Sequence, residues 1–189
     1  MKNLYLRSCV ALLCAASLSA CGGGSGSLLL GGTITGLSKT GLVLNNGSDE
    51  LTVPANATTF VFGQLLDADA SFNVQIKTQP SAAVCSVING TGKASTFNVT
   101  SVFVACVTNS YTLGGTISGL TGAVQLTNGS DTVTLDVNGS TTFTFPTKVA
   151  DGAPYGITVL TKPSDGKTCS AATGRMGAAN ITSVQITCA

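Results

Sequence analysis

An internal repeat fixes what this chain can fold into. Leu30-Gly31-Gly32-Thr33-Ile34-Thr35-Gly36-Leu37 returns almost unchanged as Leu113-Gly114-Gly115-Thr116-Ile117-Ser118-Gly119-Leu120, and the residues after each copy also match. The endings agree too, since Asn98-Val99-Thr100-Ser101-Val102 answers Asn180-Ile181-Thr182-Ser183-Val184. Each copy must therefore build one small core from roughly eighty residues, within the usual size of a single domain. The expected modules are 28–107 and 111–189, and the Thr108-Asn109-Ser110 link is short enough to limit their relative motion.

The hydrophobic period inside each copy is two. In the second, Val124 and Leu126 flank Gln125, Val133 and Leu135 flank Thr134, Phe143 and Phe145 flank Thr144, Ile157 and Val159 flank Thr158, and Val184, Ile186 and Cys188 alternate with polar residues. The first copy has the same plan, with Leu42, Leu44, Leu51, Val53, Phe60, Phe62, Val74, Ile76, Val102 and Val104. Alternation of this kind marks strands with one buried face. Thr127-Asn128-Gly129-Ser130 and Asn138-Gly139 are hairpin signals, and Pro163 and Gly166 break the chain before Cys169. No segment keeps a helical period, so the expected fold class is all-β, with two tandem antiparallel β-sandwich modules.

Residues 1–20 have the form of a secretory signal, with basic Lys2 and Arg7, an apolar run from Val10 to Ala16, and the small-residue end Leu18-Ser19-Ala20. Leu18-Ser19-Ala20-Cys21 resembles the lipobox of bacterial lipoproteins, in which the cysteine thiol is acylated and the peptide is cut ahead of it. The resemblance implies that Cys21 becomes the lipidated first residue. Residues 21–27 then form a Gly/Ser tether, flexible by composition. Gly22 stands where an aspartate often marks inner-membrane retention, which implies the outer membrane.

Cleavage removes Cys9 and Cys14, and lipid occupies Cys21, leaving Cys85, Cys106, Cys169 and Cys188. An even number in an exported chain reads as disulfides. Repeat symmetry selects Cys85 with Cys106 and Cys169 with Cys188 among the three pairings that four cysteines allow. Inward parity of Cys106 with Val102 and Val104 places the first bond beside the core, tying the last strand to the segment after the Ile76 strand. Zinc is the alternative use of cysteine, but the chain has no histidine and no Cys-x-x-Cys.

Gly-Thr-Ile-x-Gly-Leu, Val-x-Leu with Asn-Gly, Thr-x-Phe-x-Phe, and then Tyr155-Gly156-Ile157-Thr158-Val159 occur in that order. This series resembles the prealbumin-like or Cna-B-like, immunoglobulin-like sandwich modules of bacterial surface proteins. The Cys-Ser pair, a glycine-containing loop and Asn-[Val/Ile]-Thr-Ser-Val resemble repeat modules of envelope lipoproteins. Many Cna-B modules carry a Lys–Asn isopeptide bond. Here Lys39 has no counterpart in the second copy, where Thr121 leads directly to Gly122 and Ala123, so disulfides are expected in that role.

Composition and motifs argue against several chemistries. Nine Lys and Arg face eight Asp and Glu, and loss of Lys2 and Arg7 with the signal leaves no basic field for nucleic acid. Without histidine a Ser-His-Asp triad cannot form. Asp49-Glu50 and Asp67-x-Asp69 could serve a glycosidase or calcium, but Asp49 and Asp131 fall in hairpin turns, and the second pair becomes Ala150-Asp151-Gly152. Gly90-Thr91-Gly92-Lys93 lacks phosphate-loop spacing and reads as a loop within the disulfide. Seven Asn-x-Ser/Thr triplets read as strand vocabulary rather than glycosylation sites.

The copies differ in one suggestive way. Thr144 and Gln185 on the outer face correspond to Val61 and Phe103, and Lys148-Val149 to Leu65-Leu66, so the first copy is more apolar outside. Val61, Phe103, Leu65 and Leu66 are therefore the candidate interaction face, covered by a partner, by the second module or by lipid. No catalytic residue, metal or cofactor is expected. The expected role is a non-enzymatic, lipid-anchored envelope protein acting as a binding, adhesion or spacer module. Its partners would be the membrane, through the lipid, and an envelope or extracellular protein or glycan. An accessory subunit of an envelope complex is the competing class, and a hydrolase the third.

Overall fold

The computed structural model describes residues 26–136, 142–164 and 166–189, and every regular element among them is a β-strand. The signal stretch, Cys21, residues 22–25 of the tether and the Asn138-Gly139 turn lie outside the described residues. The first half contains β1 (Leu30–Thr35), β2 (Leu42–Asn46), β3 (Asp49–Val53), β4 (Thr59–Val61), β5 (Ser71–Thr78), β6 (Ala83–Ile88), β7 (Thr91–Lys93) and β8 (Val99–Thr108). The second contains β9 (Ser110–Tyr111), β10 (Leu113–Ser118), β11 (Val124–Asn128), β12 (Asp131–Leu135), β13 (Thr142–Thr144), β14 (Val149–Ala150), β15 (Pro154–Thr161), β16 (Ala172–Arg175) and β17 (Ile181–Thr187).

Each half stacks two sheets about one apolar layer. The first half has sheets β4-β1-β8-β6 and β3-β2-β5-β7; the second has β13-β10-β17 and β12-β11-β15-β16, with β9 and β14 as a separate pair. Leu30, Ile34, Phe60, Val102 and Val104 from one sheet meet Leu42, Leu44, Val53 and Val74 from the other. Leu113, Ile117, Phe143, Val184 and Ile186 meet Val124, Leu126, Leu135 and Ile157 in the same way. Both cores contain an edge-to-face phenylalanine pair, Phe60 with Phe62 and Phe143 with Phe145, each with ring centroids 5.9 Å apart.

One pairing in each half is not antiparallel: β1 runs parallel to β8, and β10 to β17. A parallel neighbour needs a long crossover, which the strands in between supply. The double glycine of the repeat makes the pairing possible. Register shifts between Leu30 and Gly32, and between Leu113 and Gly115. A Cβ on Gly32 would stand 1.9 Å from the Val102 carbonyl oxygen, and one on Gly115 would stand 1.9 Å from that of Val184. Any larger residue would force the first strand away from the last.

Asparagine side chains complete the frame. Asn98 Oδ1 accepts the Leu29 N–H at 2.8 Å, and Asn180 Oδ1 accepts the Thr112 N–H at 2.9 Å, securing the entry to β1 and β10. Asn46 and Asn128, at the β2–β3 and β11–β12 hairpins, likewise accept the N–H groups of Asn73 and Gly156. Four of the Asn-x-Ser/Thr triplets thus use their amide oxygen to hold a neighbouring strand. The Gly90-Thr91-Gly92-Lys93 stretch is not simply a loop, because Thr91–Lys93 pairs with β5. The reason is steric: Gly92 lies opposite Phe72, whose ring occupies the space a side chain would take, with Cζ 2.8 Å from a would-be Cβ.

Both disulfides form with the pairing that repeat symmetry selects. Cys85 lies directly opposite Cys106 in the β6–β8 ladder, and Cys169 faces Cys188 across an isolated bridge. Their sequence separations of 21 and 19 residues correspond to about 3 kcal/mol each on the chain-entropy model. Replacing Cys85 and Cys106 together with alanine should lower the unfolding free energy by about that amount in a urea titration. Gly32→Ala and Gly115→Ala should each cost about 1–3 kcal/mol by overpacking. Gly63→Ala, with open space around it, should stay within about 0.5 kcal/mol of the parent; equal effects at all three positions would contradict the steric account.

Candidate interaction surface

Strand parity decides what the β4-β1-β8-β6 sheet shows to solvent. Ala83 and Cys85 point inward from β6, so Val84 and Ile88 point out; Val104 and Cys106 point inward from β8, so Phe103, Ala105 and Val107 face the other way. Register sets Val84 opposite Val107 and Ile88 opposite Phe103, with Thr33 of β1 on the other side of Phe103. The outcome is two cross-strand apolar pairs on an outer face, with Val107 71% exposed. In the second half Gln185 and Thr187 occupy the corresponding places beside Thr116 and Ser118, and among the described residues no strand stands where β6 does. Of eight large apolar residues exposed among the described residues, only Leu160 lies in the second half.

The residues singled out by comparing copies do not all join this face. Val61 is exposed and lies opposite Gly31, and Leu65 is exposed in the turn after β4. Phe103 is only half-exposed, flanked by Ile88 and Thr33. Leu66 is a correction: it is only 9% exposed and belongs to the core. Leu66 exchanges backbone bonds with Leu28, donating at 2.8 Å and accepting at 3.0 Å, and this bridge turns its side chain inward. Val84 and Ile88 were missed because, among the described residues, β6 has no counterpart strand to compare with, and Val107, on β8, is recognised only as the residue opposite Val84. The inward parity of the disulfide cysteines was the signal that could have found them.

Three of the candidate carboxylates, Asp49, Asp131 and Glu50, have structural tasks. Asp49 Oδ2 accepts the Gln64 N–H at 2.9 Å, and Asp131 Oδ2 accepts the Thr147 N–H at 3.0 Å, so each hairpin holds the segment after β4 or β13. Glu50 pairs with Lys77. Asp69 adopts a positive φ of 63° in a turn and donates its N–H to the Ala94 carbonyl. Among the described residues, no three His, Cys, Asp or Glu side chains gather where they could hold a metal ion. An open depression of about 610 Å³ beside β5 draws its polar groups from Asn73, Gln75, Asn89 and Thr91, none of them titratable.

Lys39, without a counterpart in the other copy, has a partner across the link. Its Nζ pairs with the Asp151 carboxylate and donates to the Asp151 carbonyl at 3.2 Å. The Asp151 N–H donates to Asn109 O, and the Asn109 N–H to Ala82 O, each at 2.9 Å. The link is thereby bonded to both halves.

No family model matches the chain, and no curated protein matches it. Among solved structures, the major pilin protein T-13 from Streptococcus pyogenes serotype GAS131465 is similar over 85% of this chain and 95% of its own length. The identity is 9% and the TM-score 0.24, too distant a likeness to carry an argument about function.

The Lys39 and Asp151 side chains are 20% and 13% exposed. A double-mutant cycle with Lys39→Ala and Asp151→Ala should give a coupling of about 0.5–1 kcal/mol that shrinks as salt is raised. Strictly additive losses would mean that the pair does not couple the halves.

Proposed function

We propose that this chain is a non-enzymatic binding module of the bacterial envelope, held to the outer membrane by lipid on Cys21 and recognising a protein partner through the outer face of β6 and β8. The observation that carries this reading is two apolar cross-strand pairs, Val84 with Val107 and Ile88 with Phe103, on either side of the small Ser86–Ala105 pair and left open on one sheet. Aliphatic side chains dominate the patch, which fits the apolar centre of a protein interface better than a sugar. Hydrogen-bonded hairpins and strand clamps account for Asp49, Asp131, Asn46 and Asn128. The chain also lacks histidine, the usual acid–base group at neutral pH. The bonded link favours a unit that presents this face in a fixed direction over a loose spacer.

A photo-cross-linking amino acid at position 107 tests this in intact envelopes. Adducts should form there and be absent with the same probe at position 187, the polar outer face of the second half. Absence of adducts at 107, or equal adducts at both positions, would sink the proposal. Protease shaving of whole cells then decides between surface display and an accessory subunit facing the periplasm. A positive hydrolase screen of the pure protein would overturn the non-enzymatic reading.

A further inference from the structure

The opposite end of the same sheet carries a second apolar group. Leu29, Val61, Leu65 and Phe97 are all exposed, and Phe97 is the most exposed large apolar side chain among the described residues, at 77%. Backbone contacts place them around the point where the tether enters. A Cβ on Gly26 would stand 2.5 Å from the Leu65 carbonyl oxygen, and the Ser27 N–H donates to Leu66 O at 3.1 Å. Asn98, next to Phe97, accepts the Leu29 N–H, and Leu29 and Val61 line one shallow groove of about 240 Å³. At the matching positions of the second half the sequence has Thr112, Thr144, Lys148 and Ala179. The exchange of large apolar residues for small or polar ones therefore tracks distance from the tether.

We propose that this rim rests in the headgroup region of the bilayer that holds the lipid. The inference depends on acylation of Cys21, proposed above. Gly26 is five residues beyond Cys21, and a fully extended chain covers at most about 3.6 Å per residue. The tether entry therefore stays within roughly 18 Å of the acylated residue, and a Gly/Ser-rich sequence of that length typically spans about 12 Å. Residues so close to a membrane surface meet lipid before they meet a soluble partner. Asp67, exposed just beyond Leu66, keeps contact shallow, because burying its charge in hydrocarbon is costly. Apolar side chains at the headgroup–acyl boundary, with charge left in water, are the ordinary arrangement of an interfacial contact.

The chain contains no tryptophan, so one introduced indole reports its own surroundings. Leu65→Trp and Phe97→Trp, with Lys148→Trp and Ala179→Trp as their second-half equivalents, would be purified as the acylated protein. Each would be reconstituted in phosphatidylethanolamine–phosphatidylglycerol vesicles containing brominated acyl chains. Fluorescence at 65 and 97 should be quenched severalfold more than at 148 and 179. An acylated protein quenched equally at all four positions, or at none, overturns the rim and leaves the anchor standing. Intact mass spectrometry reads the anchor separately, and a protein without acyl mass overturns the anchor and the rim with it.

Discussion

Each half depends on its double-glycine strand, β1 or β10, lying against its last, parallel and at backbone contact distance. That contact brings Val102 and Val104, or Val184 and Ile186, into the same layer as Ile34 or Ile117. It also positions the last strand to receive a disulfide. The pairing cannot keep this spacing with a side chain at Gly32 or Gly115, where the facing carbonyl occupies the site of a Cβ and the strands would have to shift apart. A steric requirement of this kind explains why the double glycine is kept in both copies although it weakens a strand. The rest of each sandwich hangs on that central pair: β4 or β13 on one side of it, and β6 or the lone cysteine bridge on the other.

Much of this was legible from residue order. Alternation placed Leu42, Leu44, Phe60 and Phe62 in one core and Val124, Leu126, Phe143 and Phe145 in the other, because a period of two has one meaning once a face is buried. Repeat symmetry selected the disulfide pairs, because two copies of one module place their cysteines alike. The parallel pairing was not legible, since strand direction depends on where the chain goes between strands and no local pattern records it. Leu66 was misread for a related reason. Its neighbour Leu65 is exposed, and only a bridge to Leu28, distant in sequence, decides which of the two leucines turns inward.

Comparing copies locates departures from the common plan, and those departures have different physical characters. Lys39 and Asp151 are charged, partly buried and complementary, and they meet across the link. Val84, Ile88 and Val107 are apolar and open, and their partners on the sheet are apolar too. A residue kept in both copies answers to the fold, as Asn46 and Asn128 do through equivalent clamps on β5 and β15. A residue present in one copy alone answers to something that distinguishes the halves, and under the proposed lipid anchor one such difference is distance from the anchor.

That distance orders the surface. The link holds the second half through Asn109 and the Lys39 contact, so the two ends of β8 face different surroundings. Its start, paired with Leu30, lies at the tether end, whereas its finish at Val107 and Thr108 runs into the link. Under the proposed anchor, apolar residues at the first end would be covered by the membrane that holds the lipid. Those at the second end lie a strand's length farther along, beyond the reach of the same shallow contact. If one bilayer covered both groups, β8 would have to lie flat on it, bringing Ser101 and the outward threonines of β1 against lipid as well. The two proposed coverings, lipid at the tether end and protein near the link, would leave those hydroxyls in water and satisfy both apolar groups.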